Sequence, residues 1–285
     1  MKTFRTIETR RTLALHRMTP SFSSYGLRPE PGFPLDPFMS LDDFLMSEPT
    51  FPPHPHAGFS AVTYMFEDSE GGFLNRDSLG DRSRIEPGAL HWTQAARGMM
   101  HEEVPARPGV PCHGLQMFVN LKDAHKRAAP AAYHASRTEV PEVRPAPGAR
   151  VRVLAGTCHG VASPLTKLLT PVTVLEIHLE AGASVEIDAP RHHNALAMII
   201  RGAGAVAEVP VTAHEALLFA RDAERVRFEG GPDRLQLLFC EGAPLGEPVV
   251  FGGPFAMTRR EDIDDARARF ARGEMGRLAP SSPAD

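Results

Sequence analysis

Proline and glycine interrupt this chain every few residues. Its 285 residues include 27 prolines and 24 glycines. Proline removes a backbone donor and breaks helices, while glycine supplies the positive φ of tight turns. A chain so punctuated suits many short strands joined by turns rather than long helices. Between the breaks, residues 59–66 (FSAVTYMF) and 114–121 (GLQMFVNL) are rich in β-branched and aromatic residues, as strands require.

The strand rhythm occurs twice. The first set runs from an opening strand or two in residues 4–17, through apolar residues among acids at Leu41–Phe44, to the strand at 114–121. The second takes in residues 151–154, 172–179, 184–187, 195–201, 205–209, 216–220 and 235–240. Glycine turns at residues 181–183, 201–204 and 229–231 sit where hairpins need them. Residues 126–148, rich in Ala, Pro and charge, read as a linker between an N-terminal domain (1–125) and a C-terminal domain (149–285). Only the tail is clearly helical. In residues 260–273, Ile263, Ala266 and Phe270 form one apolar stripe at i, i+3, i+7. Thr258 is the candidate N-cap and Gly273 the candidate C-cap. The charges of residues 259–265 read as that helix's solvated face.

Composition excludes several classes. The formal net charge is −4 and no long basic run occurs, so direct nucleic-acid binding is not expected. Cys112, Cys158 and Cys240 are odd in number, far apart and without a CxxC. That argues against a disulfide framework or a zinc knuckle and for a reduced, cytoplasmic protein. The first twenty residues carry arginines but no apolar core, so no signal peptide is read. No window approaches the roughly 20 apolar residues needed to cross a bilayer, so no membrane partner is expected.

Chemistry is concentrated at His54-Pro55-His56 and His101-Glu102-Glu103. Side chains alternate along a strand, so His54 and His56 share one face, as do His101 and Glu103. Three imidazoles and a carboxylate on two adjacent strands suit a first-row divalent metal; an added carboxylate with open positions favours redox-capable iron over closed structural zinc. Thirteen histidines are scattered along the chain, so spacing alone leaves chance pairing open. His91 reads as an ordinary strand histidine, and His113 as a structural one. His192 and His193 are neighbours that would face opposite ways on a strand. Phe73, Met99 and Met100 read as core.

Further residues around these motifs resemble the pirin family of the cupin superfamily. Pro37-Phe38 and Leu41-Asp42 lead to His54-Pro55-His56-Ala57-Gly58-Phe59 and Val62-Thr63-Tyr64. Then come Pro87-Gly88, Trp92, Arg97-Gly98 and His101-Glu102-Glu103 with Pro105. Gly246-Glu247-Pro248 and Gly253-Pro254-Phe255-Ala256-Met257 precede the helix. The resemblance covers nearly the whole chain. It implies an all-β bicupin, two jelly-roll β-barrels face to face with a short C-terminal helix, and metal only in the N-terminal barrel. His54, His56, His101 and Glu103 match the family's ligand positions. The implied cofactor is one divalent ion, Fe2+ foremost, with Zn, Ni, Mn, Co or Cu as alternatives.

Some members of this family are quercetin 2,3-dioxygenases, and others are regulators that touch transcription factors or metabolic enzymes. The implied function is therefore oxygenolytic cleavage of flavonol-like substrates, with Glu103 as both ligand and general base. A redox-sensitive regulator acting through protein partners is the alternative. Three departures fall on the pocket wall. Thr93-Gln94-Ala95-Ala96 replaces the usual Met-Thr-Ala-Gly after Trp92. Asn75-Arg76-Asp77-Ser78 lacks the usual histidine, and Glu102 stands where a small residue is common.

Overall fold

The computed structural model describes residues 3–279. Strands dominate, with one α-helix, Arg260–Ala271, among the described residues. Among the described residues, the strand pairs whose registers are resolved run antiparallel, as hairpin-linked jelly-roll strands do. Among the described residues, no helix is long and apolar enough to cross a membrane.

The chain forms two compact units, and they are not simple halves. The first, the C-terminal unit, contains the described residues through Leu15, Tyr25–Pro37 and Thr138–Pro244; the second, the N-terminal unit, contains His16–Ser24, Phe38–Arg137 and the described residues from Leu245 onward. The expected boundaries at 125 and 149 therefore do not describe the packing. Residues 126–148, read as a linker, carry the strands Ala131–Ala135 and Glu142–Ala146. Ala131–Ala135 pairs with Leu90–Gln94, and Glu142–Ala146 pairs with Ala149–Ala155. Proline is tolerated there because both strands lie at sheet edges.

The C-terminal unit is built on a nine-stranded sheet. Its long central strands, Asn194–Val206 and Arg225–Gly242, pair along much of their length. Strict alternation makes its interior apolar. Leu175, Ile177 and Leu179 join Phe228, Leu235, Leu237 and Phe239 in one buried cluster. Glu176 and His178, on the other face of their strand, are outside it.

The N-terminal unit has a seven-stranded and a four-stranded sheet. The larger runs from Ala131–Ala135 through Leu90–Gln94, Phe59–Met65 and Cys112–Asn120 to Phe38–Met46, and on to Phe22–Leu27 and Leu15–Thr19. The smaller is ordered His54–His56, Met99–Pro105, Phe73–Asp77, Arg84–Ile85. His54–His56 is an edge strand, which is why Pro55 fits between its histidines. Phe73, Met99 and Met100 are buried as expected.

The terminal helix also belongs here. Ile263 and Ala266 pack with Ala57, Phe255, Met257 and Met275, while Phe270, the third member of the stripe, is 40% exposed. The helix begins after Arg259, which is extended and makes no side-chain cap bond; Thr258 is not the N-cap. Glu261 and Asp262 in the first turn complement the helix dipole instead. Gly273, at φ +76°, follows the last turn and donates to Phe270 O at 2.9 Å, a left-handed terminus that favours glycine.

Candidate metal centre

The register of two strands assembles the histidines. Met99–Pro105 pairs with the edge strand so that His101 lies opposite His54 and Met99 opposite His56. His54 Nε2 is 3.1 Å from His56 Nε2 and 3.2 Å from His101 Nε2. Each pair of rings has centroids 4.7 Å apart. Two nitrogens each about 2.1 Å from one ion and about 90° apart would be separated by about 3.0 Å. The triad therefore has the spacing of adjacent ligands on a single metal ion.

Its electrostatics fit the same role. Burial holds His54 below the ordinary histidine range. Burial, reinforced by His54, drives His56 down to about 3. Burial together with the two neighbouring rings keeps His101 well below that range. All three are thus neutral near pH 7, the form that offers a lone pair to a metal. His54 Nδ1 donates to Pro52 O at 2.9 Å, and His56 Nδ1 faces Pro254 O at 3.4 Å. A proton held at Nδ1 leaves Nε2 bare, which is how outer partners orient metal-binding histidines. His101 Nδ1 is buried without a partner.

Glu103 is placed differently. It shares a strand face with His101, but the convergent group, whose ligand atoms all lie within 4.8 Å of one another, consists of His54, His56 and His101. Its Oε2 is 2.6 Å from Thr63 Oγ1, which is also 3.1 Å from Gln116 Oε1. The hydroxyl has one proton for two acceptors. With Glu103 ionised, Thr63 donates to it. With Glu103 protonated, the carboxyl can donate to Thr63, which then turns to Gln116. Burial pushes the Glu103 carboxyl up to about 7 against the opposing Thr63 bond, so both states are accessible near neutrality.

The C-terminal segment closes the site. Ala256 N donates to Ala57 O at 3.0 Å, and Met100 N donates to Met275 O at 3.2 Å. Lys126 Nζ donates to Gly58 O, Asn120 Oδ1 and Ala256 O at 2.7, 2.6 and 3.0 Å. A Cβ at Gly58, where φ is +88°, would sit 1.9 Å from Ala256 O; only glycine permits this approach. Phe59 and Phe118 form an aromatic wall beside His56, with Phe118 5.6 Å from it.

His113 and His193 resolve as structural. His113 Nε2 meets Asp43 Oδ1 at 2.7 Å. His192 and His193 lie in the turn before Asn194–Val206, where His193 pairs with Glu241. The Glu102 departure is met by Arg76 directly across the strand, whose Nε donates to Glu102 Oε2 at 3.2 Å. The roles of Thr63, Gln116 and the Pro52 and Pro254 carbonyls were not legible in residue spacing. The one available signal was a threonine inside a strand buried on both faces.

Two family models match this architecture. "Pirin" covers residues 6–119 and "Pirin C-terminal cupin domain" covers residues 174–276. Pirin-like protein 2 of Arabidopsis thaliana is 34% identical over 251 residues, covering 85% of this chain and 76% of its own length. The chain belongs to the pirin family. This pirin is also 34% identical over 285 residues to a Pseudomonas aeruginosa protein provisionally named a quercetin 2,3-dioxygenase, covering 93% of this chain and 97% of that one. A crystal structure of quercetin 2,3-dioxygenase from Acinetobacter baumannii superimposes with a TM-score of 0.85 at 24% identity, covering 97% of this chain and all of that one. At that identity the likeness concerns the fold: this pirin is an all-β bicupin of jelly-roll type with one terminal helix.

Proposed function

We propose that this pirin holds one divalent metal ion, Fe2+ foremost, on His54, His56, His101 and Glu103, and acts as a quercetin 2,3-dioxygenase-type enzyme on flavonol-like substrates. The observation that carries the reading is the convergence of three imidazole nitrogens, with His54 Nε2 3.1 and 3.2 Å from the other two, on strands that also present the Glu103 carboxyl on the face of His101. The bound ion would supply Lewis acidity toward an aromatic hydroxyl and redox capacity toward dioxygen.

The chain's own groups do the rest. Glu103 would accept the proton of the substrate's 3-hydroxyl at its carboxylate, as a general base. Thr63 then shifts its own proton from Glu103 to Gln116, so the newly protonated acid keeps a partner. Phe59 and Phe118 offer an apolar wall suited to a flat aromatic ring. Kinship with the Pseudomonas protein supports the substrate class. Three buried, unbridged cysteines support a reducing, cytoplasmic setting.

A second reading keeps the metal without turnover, as a redox-sensitive regulator read by protein partners. Burial favours it: His56, His101 and Glu103 are 6%, 4% and 8% exposed, which leaves a flavonol little direct access to them. Oxygen uptake with quercetin separates the two readings. Iron-loaded protein should consume oxygen and bleach the flavonol, while a folded His101→Ala variant should do neither. Iron-loaded wild type as inert as the variant would sink the dioxygenase reading for this substrate and leave the regulator.

A further inference from the structure

A second convergent group lies in the N-terminal unit. Asp77, Asp81 and His91 offer three ligand atoms all within 4.8 Å of one another. Asp77 ends the strand Phe73–Asp77, opposite His101 on the neighbouring strand. The turn after it brings back Asp81, whose backbone N–H donates to Asp77 Oδ1 at 3.0 Å. His91 comes from the other sheet, opposite Thr63. Directly opposed residues share a sheet face, so His91 and Thr63 point the same way.

The polar inventory there is incomplete. Asp77 Oδ1 accepts from the Leu79 and Asp81 amides, but Asp77 Oδ2 is buried without a partner. His91 is 0% exposed, and neither ring nitrogen has a hydrogen-bond partner. A buried imidazole normally satisfies at least one nitrogen, and each orphaned polar group costs on the order of 1–3 kcal/mol. Asp81 is held in place by Asn75 Nδ2, Ser83 N and Ser83 Oγ, each at 2.8–2.9 Å. The result is two carboxylates and one imidazole aimed at a common point, with Asp77 Oδ2 and both His91 nitrogens lacking partners.

We propose that Asp77, Asp81 and His91 form a second cation site, distinct from the histidine triad, for a first-row divalent ion such as Mn2+ or Zn2+. Two carboxylates balance the charge of the ion, and mixed oxygen and imidazole donors suit these metals. A cation would also satisfy Asp77 Oδ2 and one His91 nitrogen together. Burial raises the Asp77 carboxyl and drives His91 down to about 4. The imidazole is therefore neutral and ready to ligate, while a cation would stabilise the Asp77 carboxylate.

The test is metal stoichiometry rather than activity. Purified full-length protein is equilibrated with Mn2+ or Zn2+ alone, dialysed, and its metal counted by mass spectrometry. Wild type should retain two equivalents and a His54→Ala/His56→Ala variant one. His91→Ala should retain one equivalent, held by the triad. Asp81→Asn, at a partly exposed position, serves the same purpose if His91→Ala does not fold. An anomalous difference map of Zn2+-soaked crystals should show a peak between Asp77 Oδ2, Asp81 and His91. Wild type and His91→Ala retaining the same amount of metal, none in the triad variant, or a map with density only at the triad would overturn the proposal.

Discussion

The two units share jelly-roll strands yet fill their interiors in opposite ways. In the C-terminal unit, Val151, Leu175, Ile177, Phe219, Phe228 and Phe239 pack into one apolar cluster. Among its buried charged residues, Glu176 faces away from that cluster and accepts from Gln236 Nε2 at 2.8 Å. In the N-terminal unit, Thr63, Asp77, His91, His101 and Glu103 are all buried, and several of their polar atoms lack protein partners. Buried polar groups destabilise a fold unless something satisfies them. The comparison teaches that one unit gathers its core into one large apolar cluster, whereas the other divides its apolar core and places convergent metal-ligating side chains in its interior.

The largest expected effect breaks the comparison from the packed side. Phe239→Ala removes an aromatic ring from the C-terminal cluster and should destabilise the protein by about 3–5 kcal/mol. Urea unfolding followed by circular dichroism checks this, and metal bound per folded molecule should be unchanged. A loss of metal in step with stability would mean that the two interiors are not separate.

Next comes the metal itself. If the triad is a binding site rather than a structural cluster, free metal at a hundred times its dissociation constant should stabilise the fold by about 2.7 kcal/mol. The triad's share of that gain should vanish in His101→Ala, while in the metal-free protein the cost of the cavity left by the buried ring should be partly offset by the loss of a buried, unpartnered nitrogen. Thermal melts with and without Fe2+ under anaerobic conditions measure both quantities.

The third effect is smaller and depends on pH. Burial raises the Glu103 carboxyl from 4.5 to about 7, so between these values the folded metal-free protein binds more protons than the unfolded chain. Stability from this group is therefore fully present below about 4.5 and lost as pH rises through 7. Glu103→Gln should flatten that slope in metal-free protein. Thr63→Val should move it to higher pH, because the carboxylate loses a donor worth about 1 kcal/mol. Chemical denaturation between pH 4 and 8 reads both. An unchanged slope in Glu103→Gln would assign the titration to another group.

Much of the site was legible because its signal is local. His54 and His56 are two apart, as are His101 and Glu103, and period-2 alternation alone puts each pair on one face. Thr258 misled as a helix cap because capping depends on the backbone of one residue, and here Arg259 occupies that position. His91 read as ordinary because nothing near it in sequence shows Asp77 and Asp81 across the interior. Residues 126–148 read as a linker because edge strands tolerate the Pro and Ala that central strands do not, and because two of the three acceptors of Lys126 Nζ, Gly58 O and Ala256 O, come from distant segments.

By itself, then, the sequence determined the strand-rich class, the twofold strand rhythm, the family and the two motifs that supply the three converging histidines. Those follow from turn chemistry, side-chain alternation and motif order, which act over a few residues. Only the tertiary structure decided that the C-terminal tail packs with the N-terminal strands, that three imidazoles meet while Glu103 is held by Thr63, and that a second donor cluster exists. Each depends on which strand lies beside which, a choice set by burial across the whole chain and carried by no single segment.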